Sequence, residues 1–189
     1  MPRLQPVSPD DASERAKAAF ERVGAYASAS NPLLGTLMWH PELTESYMPF
    51  SDYMKNSGLL SSHHRRLAIM RTAWNCGADY QWVAHSRYAR AAGVANDVID
   101  RIGIGPIAPD WDDVERAVLR AADELHVDRV ISSDTWTQLA QHLDPPQLIE
   151  LTMLVGNYQM IAQVTNTIGI MPDEPAPDLP GNSFRLYRP

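Results

Sequence analysis

The chain reads as an all-α protein. Period-two alternation of β-branched residues is nearly absent, while apolar residues recur at three- and four-residue spacing. Glycine and proline fall between these periodic runs, where they punctuate helices. Two of the runs also end in related hexads, which predicts a helical bundle built from two diverged helical halves.

The first helix is expected to begin after Ser8, with Pro9 at its first position and Asp10 and Asp11 in its first turn. It would run through Ala16, Ala19, Phe20 and Val23 to near Ala27. Asn31-Pro32 restarts the chain into Leu33, Leu34, Leu37 and Met38. Pro41 opens a helix through Leu43, Tyr47, Phe50 and Tyr53 that stops at Gly58. Ser61 or Ser62 caps the next helix, which carries Leu67, Ile69, Met70 and Trp74 and breaks at Asn75-Cys76-Gly77.

Asp79 is the expected cap of a helix that ends at Gly93, and a short helix follows from Asn96 to Ile102. Gly103, Gly105, Pro106 and Pro109 form a loop that divides the halves. Trp111-Asp112-Asp113 then leads into a helix through Val114, Val118, Leu119, Ala122 and Leu125. Ser132 or Ser133 caps a shorter helix with Trp136 and Leu139. Pro145-Pro146 starts the last long helix, which ends at Gly169. Residues 1–171 are thus expected to form one domain, with halves at about 1–105 and 110–171. The Pro-rich tail 172–189 has no core pattern, and is either disordered or wraps a neighbouring subunit.

Composition narrows the function. A chain of 189 residues with 44% hydrophobic and 21% charged residues is ordinary globular protein. A net charge of −7 argues against nonspecific nucleic-acid binding, which needs a basic face. No stretch reaches the roughly 18 apolar residues of a membrane span, and the N-terminus lacks the apolar run of a signal peptide. A soluble, cytoplasmic protein is expected. The single cysteine, Cys76, excludes an internal disulfide, a dithiol relay within the chain and a zinc site built on cysteine pairs. The six histidines show no H-E-x-x-H spacing, so neither a metal nor another cofactor is expected.

The related hexads are Tyr80-Gln81-Trp82-Val83-Ala84-His85 and Tyr158-Gln159-Met160-Ile161-Ala162-Gln163. Tyr, Gln and Ala keep their places, while the final position is His in one copy and Gln in the other. The one titratable ring, His85, is therefore the candidate catalytic group. Gln81 lies four residues earlier, on the same helical face, where its amide could hold one imidazole nitrogen and leave the other to act. An imidazole titrates at about pH 6.5, so it can exchange a proton at neutral pH. The alternative is a buried histidine satisfied by its neighbours.

Tyr80, Trp82 and Tyr158 either line a pocket or fill the core. Arg66 and Arg71 either bind a carboxylate through two parallel bonds or make structural ion pairs. His40, in Trp39-His40-Pro41, is a second titratable group that could reach the site, or a cap. Asn166 lies near the helical face of Tyr158 and has a structural hydrogen bond as its alternative. Cys76, without a resolving partner, reads as an idle thiol.

The stretches Leu59–Val94 and Leu119–Ile170 resemble the carboxymuconolactone decarboxylase family, which shares its fold with alkyl hydroperoxidase D-like proteins. The resemblance rests on Arg65-Arg66-Leu67-Ala68-Ile69-Met70-Arg71-Thr72-Ala73-Trp74 and Asp79-Tyr80-Gln81-Trp82-Val83-Ala84-His85. It continues in Asp123-Glu124-Leu125, Ser133-Asp134-Thr135-Trp136 and Gly156-Asn157-Tyr158-Gln159-Met160, with Asn166. It implies a helical bundle assembling into dimers, trimers or hexamers. The peroxidase branch carries a C-x-x-C pair whose positions here are Ala78 and Gln81, and an assisting glutamate that falls on Arg66. The resemblance thus supports the fold and the place of the site while opposing thiol chemistry. A cationic Arg66 suits an anionic small-molecule substrate.

Three functions follow. The first is a cofactor-independent decarboxylase-like lyase or isomerase with His85 as general acid or base, oriented by Tyr80 or Gln81. Its binding residues would be Arg66, Trp82, His40, Tyr158 and Asn166. The second is a thiol-dependent alkyl hydroperoxidase-like antioxidant protein. The third is a non-catalytic oligomeric ligand-binding protein.

Overall fold

The computed structural model describes residues 2–24 and 31–172. The expected Pro-rich tail falls almost wholly outside these residues, as does the expected end of the first helix near Ala27. Among the described residues the chain is helical and has no strand.

Helix α1 spans Glu14–Val23 and starts later than expected. Ser13, not Ser8, caps it by accepting from the Ala16 N–H at 3.2 Å. Ser8 and Asp10–Asp11 instead form a turn, with Asp10 N–H donating to the Ser8 hydroxyl. Helix α2, Pro32–Leu37, begins at a proline whose missing N–H costs nothing there, and Asn31 caps it. Helix α3, Pro41–Asp52, continues into a π-turn at Tyr53–Ser57. Ala16, Ala19, Phe20, Val23, Leu34 and Met38 bury one small cluster among α1–α3. Arg15 and Arg22 of α1 add bonds to Glu42 and Glu45 of α3.

The main core is organised around helix α4, Ser62–Asn75, capped by Ser61. It packs against α5 (Asp79–Ala91), α7 (Asp113–Val127) and α9 (Pro145–Ile168), with α6 (Asn96–Ile104) alongside. Leu67, Met70, Ala73, Leu119, Ala122, Leu151 and Leu154 meet there. Asp79 does not cap α5. It is the first helical residue, after Ala78, which supplies no side-chain cap. Helices α7 and α9 each start with a capping box, Asp112 with Glu115 and Asp144 with Gln147. Ser132 caps α8, Ser133–Leu139. Gly169 closes α9 in the left-handed conformation, φ 79°.

One long-range contact sets the turn between the π-turn and α4. Glu150, buried on α9, accepts from the N–H groups of Leu59 at 2.5 Å and Leu60 at 3.1 Å. A Cβ at Gly58 would collide with that carboxylate, so the turn needs glycine. Arg65 completes it by donating to the carbonyls of Lys55, Gly58 and Leu60. The backbone that carries Lys55 is therefore tied to α4 and α9.

Candidate active site

Helix α5 has two faces. Trp82, Ser86 and Ala89 point into the core. Tyr80, Gln81, Ala84, His85 and Tyr88 share the opposite face and line a cavity of about 110 Å³. The spacing explains this, because residues four and seven apart return to the same side of a helix. The cavity is closed by Leu34 of α2, Tyr47 and Ser51 of α3, and Asn157, Tyr158 and Ile161 of α9. Its polar groups are mostly paired with one another. Tyr47 donates to Asn157 Oδ1 at 3.1 Å, and Tyr80 donates to Asn31 Oδ1 at 3.1 Å.

Lys55, His85 and Tyr88 also line a second, more open hollow of about 410 Å³, together with Asn56, Ser62, Arg65, Arg66 and Ile69. The three shared residues form the wall between an inner and an outer chamber. The imidazole of His85 packs edge-on against Tyr158 (centroids 5.2 Å, 75°) and Tyr88 (5.7 Å, 79°). No described side chain hydrogen-bonds its nitrogens. The Lys55 ammonium sits over the Tyr88 ring, 4.6 Å from its centroid. Among the described residues Arg66 has no ion pair or hydrogen bond. The outer hollow holds three cations and no carboxylate, in a chain of net charge −7.

These surroundings set the charge of the ring. Burial, and then the nearby cations Lys55 and Arg66, push the His85 imidazole far below its ordinary range. It is neutral at pH 7. Burial likewise raises the phenols of Tyr158 and Tyr47, so both stay protonated as donors.

A stability effect follows, with a definite sign. The unfolded ring takes up a proton below about pH 6.5 while the folded ring does not. His85 therefore costs no stability above that pH and destabilises the fold progressively below it, by up to about 1.4 kcal/mol per pH unit. Urea unfolding at pH 7 and pH 5 should show a smaller acid loss in His85→Gln than in wild type. Equal losses would contradict the desolvated, neutral ring. The comparison is needed because His64 and His126 are shifted in the same direction.

Residues 41–124 match the carboxymuconolactone decarboxylase family. The resemblance drawn from the Arg65–Trp74 and Asp79–His85 motifs holds for that stretch, which spans α3 to most of α7. No curated protein matches the chain in sequence. Eight solved chains match its fold, among them the following three. An uncharacterised peroxidase-related protein with an alkylhydroperoxidase AhpD core, from Ralstonia eutropha JMP134, has a TM-score of 0.77 at 17% identity, covering 92% of this chain and 93% of its own. An uncharacterised peroxidase-related protein from Silicibacter sp. TM1040 has a TM-score of 0.76 at 15% identity, covering 91% and 92%. A protein of unknown function from Agrobacterium tumefaciens has a TM-score of 0.68 at 18% identity, covering 74% and 96%. The all-α, AhpD-like fold expected from the sequence is the fold observed.

Within this AhpD-like fold the candidate residues separate. His85, Tyr80, Gln81 and Tyr158 line the inner chamber, and Arg66 lines the outer one. Four assignments need correction. Gln81 does not hold the imidazole, because its amide donates to the Tyr158 carbonyl at 3.2 Å and ties α5 to α9. Trp82 is 1% exposed and stacks edge-on against Trp74 in the core, so it cannot touch a ligand. His40 lies exposed at the start of α3, accepting from the Leu43 N–H. Asn166 donates to the Cys76 carbonyl at 2.9 Å, away from both chambers.

Arg71 is structural, bound to Asp123 at 2.5 and 3.0 Å and to the Ile102 and Gly103 carbonyls. Cys76 lines a different hollow beside His126, whose Nδ1 is 3.6 Å from the sulfur. Burial pushes its thiol up to about 11, so it is protonated at neutral pH. No cluster of three His, Cys, Asp or Glu side chains suited to a metal occurs among the described residues.

Reading the sequence missed Lys55, Tyr88, Tyr47 and Asn157. Tyr88 was within reach, since it lies three residues after His85 on the same face. Lys55 and Tyr47 come from elements remote in sequence, and only the packing of α3 and the π-turn against α5 brings them in.

Proposed function

We propose that the protein is a cofactor-independent lyase or isomerase that moves a proton on a small carbonyl, lactone or carboxylate compound, with His85 as general base and then acid. One observation carries this reading: a neutral imidazole, with no partner on its nitrogens among the described residues, stands in the wall between an inner chamber and a cationic outer one. A substrate atom beside the ring would give up its proton to the imidazole. The negative charge left on the substrate would lie near Arg66 and Lys55, which stabilise it. The imidazolium would then return the proton at another atom or to the departing group. Tyr80 and Tyr47 supply phenols at the far wall for orienting a substrate oxygen.

The thiol peroxidase reading is weaker on this geometry. The only cysteine lines a separate hollow and holds its proton. The test begins with native mass spectrometry of the protein purified from its source, followed by denaturation and identification of any retained ligand. The same spectrum reports subunit number, for which we propose a homo-oligomer, as the resemblance implies. Turnover of the identified compound, or of a panel of small lactones and keto acids, is then followed by proton NMR. Turnover that depends on Cys76 and hydroperoxide rather than on His85 would overturn the proposal.

A further inference from the structure

The outer chamber gathers charge in a way that the inner one does not. Arg65, Arg66 and Lys55 all border it, but they differ in what they do. Arg65 is spent on three backbone carbonyls. Arg66 makes no ion pair or hydrogen bond among the described residues, and Lys55 makes only its contact with the Tyr88 ring. A half-buried guanidinium and an ammonium face one hollow whose lining holds no carboxylate, and they repel each other until an anion arrives. The inner chamber is smaller than the ~150 Å³ apolar cavity that takes a benzene ring, and its wall is mostly ring and aliphatic surface.

We propose that Lys55 and Arg66 form a paired anion subsite in the outer chamber, and that an anion seated there is what enables the imidazole of His85 to take up a proton. This deepens the reading of His85 as the proton carrier and rests on the two chambers meeting at that ring. The ligand is then a carboxylate whose short apolar part passes His85 into the inner chamber. Lys55 serves as a specificity and positioning residue, since it borders both chambers.

The groups facing His85 are known from every element around it. They are Tyr47 and Asp52 of α3, Lys55 of the π-turn, Arg65 and Arg66 of α4, Tyr80 and Tyr88 of α5, and Tyr158 of α9. Asp52 accepts from Asn56 at 2.7 Å and makes no ion pair with Lys55. In the empty site the two cations oppose protonation of the ring. A bound carboxylate cancels that opposition and pairs with the imidazolium. The base thus becomes effective only when the substrate's own charge is in place.

Hexanoate and its neutral isostere hexanamide probe this directly, with binding and protonation read from the His85 ring nitrogens by NMR. Hexanoate should bind about tenfold or more tightly than hexanamide at low salt, and added sodium chloride should erode the difference. With hexanesulfonate bound, an anion of similar length that keeps its charge through the range in which the ring titrates, the His85 titration midpoint should rise by about one pH unit or more. Lys55→Gln and Arg66→Gln should each weaken hexanoate about tenfold while leaving hexanamide unchanged. The salt and isostere comparisons use wild-type protein, so they stand even if a variant folds poorly.

Equal affinity for the two probes, no detectable binding of hexanoate at millimolar concentration, or an unmoved His85 midpoint would overturn the proposal. None of these readouts requires turnover. An anion subsite that survives while His85→Ala keeps full activity would sink the chemistry alone, and the converse result would sink only the subsite.

Discussion

Replacing His85 with alanine is expected to lower turnover by about 100- to 10,000-fold, the contribution a positioned general acid–base group makes. The expectation is large because the chambers offer no second side chain suited to the task. Tyr47 and Tyr158 hold their protons too tightly to act as bases at neutral pH. The guanidinium groups of Arg65 and Arg66 are donors with no acceptor site, and Asp52 is engaged by Asn56. The fold should tolerate the change, since the ring makes two edge contacts and no hydrogen bond. His85→Gln is the matched control, placing in the first hexad the residue that ends the second. Steady-state turnover of the compound identified by mass spectrometry, beside the melting temperature of each variant, checks the prediction. A stable His85→Ala protein with more than about a tenth of wild-type activity would remove the imidazole from the mechanism.

Trp82→Ala should have the largest effect on stability, a loss of about 3–5 kcal/mol. Trp82 sits two residues after Tyr80 and three before His85, yet it faces the other way. Its ring meets Trp74 edge-on at 5.1 Å, and Trp74 in turn lies against Gly103 of α6, where any Cβ would press on the indole. Truncation would leave a cavity beside the Trp74 ring in the main core. Trp82→Phe should retain most of the stability. Urea unfolding monitored by far-UV circular dichroism reads both variants, and a loss under about 1 kcal/mol for alanine would show that the site relaxes. The pair separates two adjacent aromatic positions by role, because Tyr80 borders the cavity while Trp82 supports the helix that carries it.

Much of this was legible from residue order, for local reasons. The helices at Pro32, Pro41, Ser62, Pro145 and their caps follow from side chains that satisfy their own first-turn N–H groups. Such contacts span three residues and need no tertiary information. The start of α1 shows the limit. Ser8-Pro9-Asp10-Asp11 and Ser13-Glu14 are both credible openings, and the choice went to Ser13 because Ala12 and Ala16 pack against α2 and α3. Asp79 is not the cap of α5: Ala78 takes that position, and Asp79 is the first helical residue, its carboxyl half-buried and raised by that burial.

What the order of amino acids determined alone was the helical class, the family resemblance and the face of α5 that carries His85, since each depends on spacing within one helix or motif. Which side chains meet that face was decided by packing. Gln81 lies one turn before His85, but the carbonyl of Tyr158 comes closer and takes its amide. Lys55 is thirty positions away along the chain, and reaches the ring only because Glu150 and Arg65 pin the intervening turn. Hydrogen-bond partners and cavities are properties of distances between helices, which no single helix encodes.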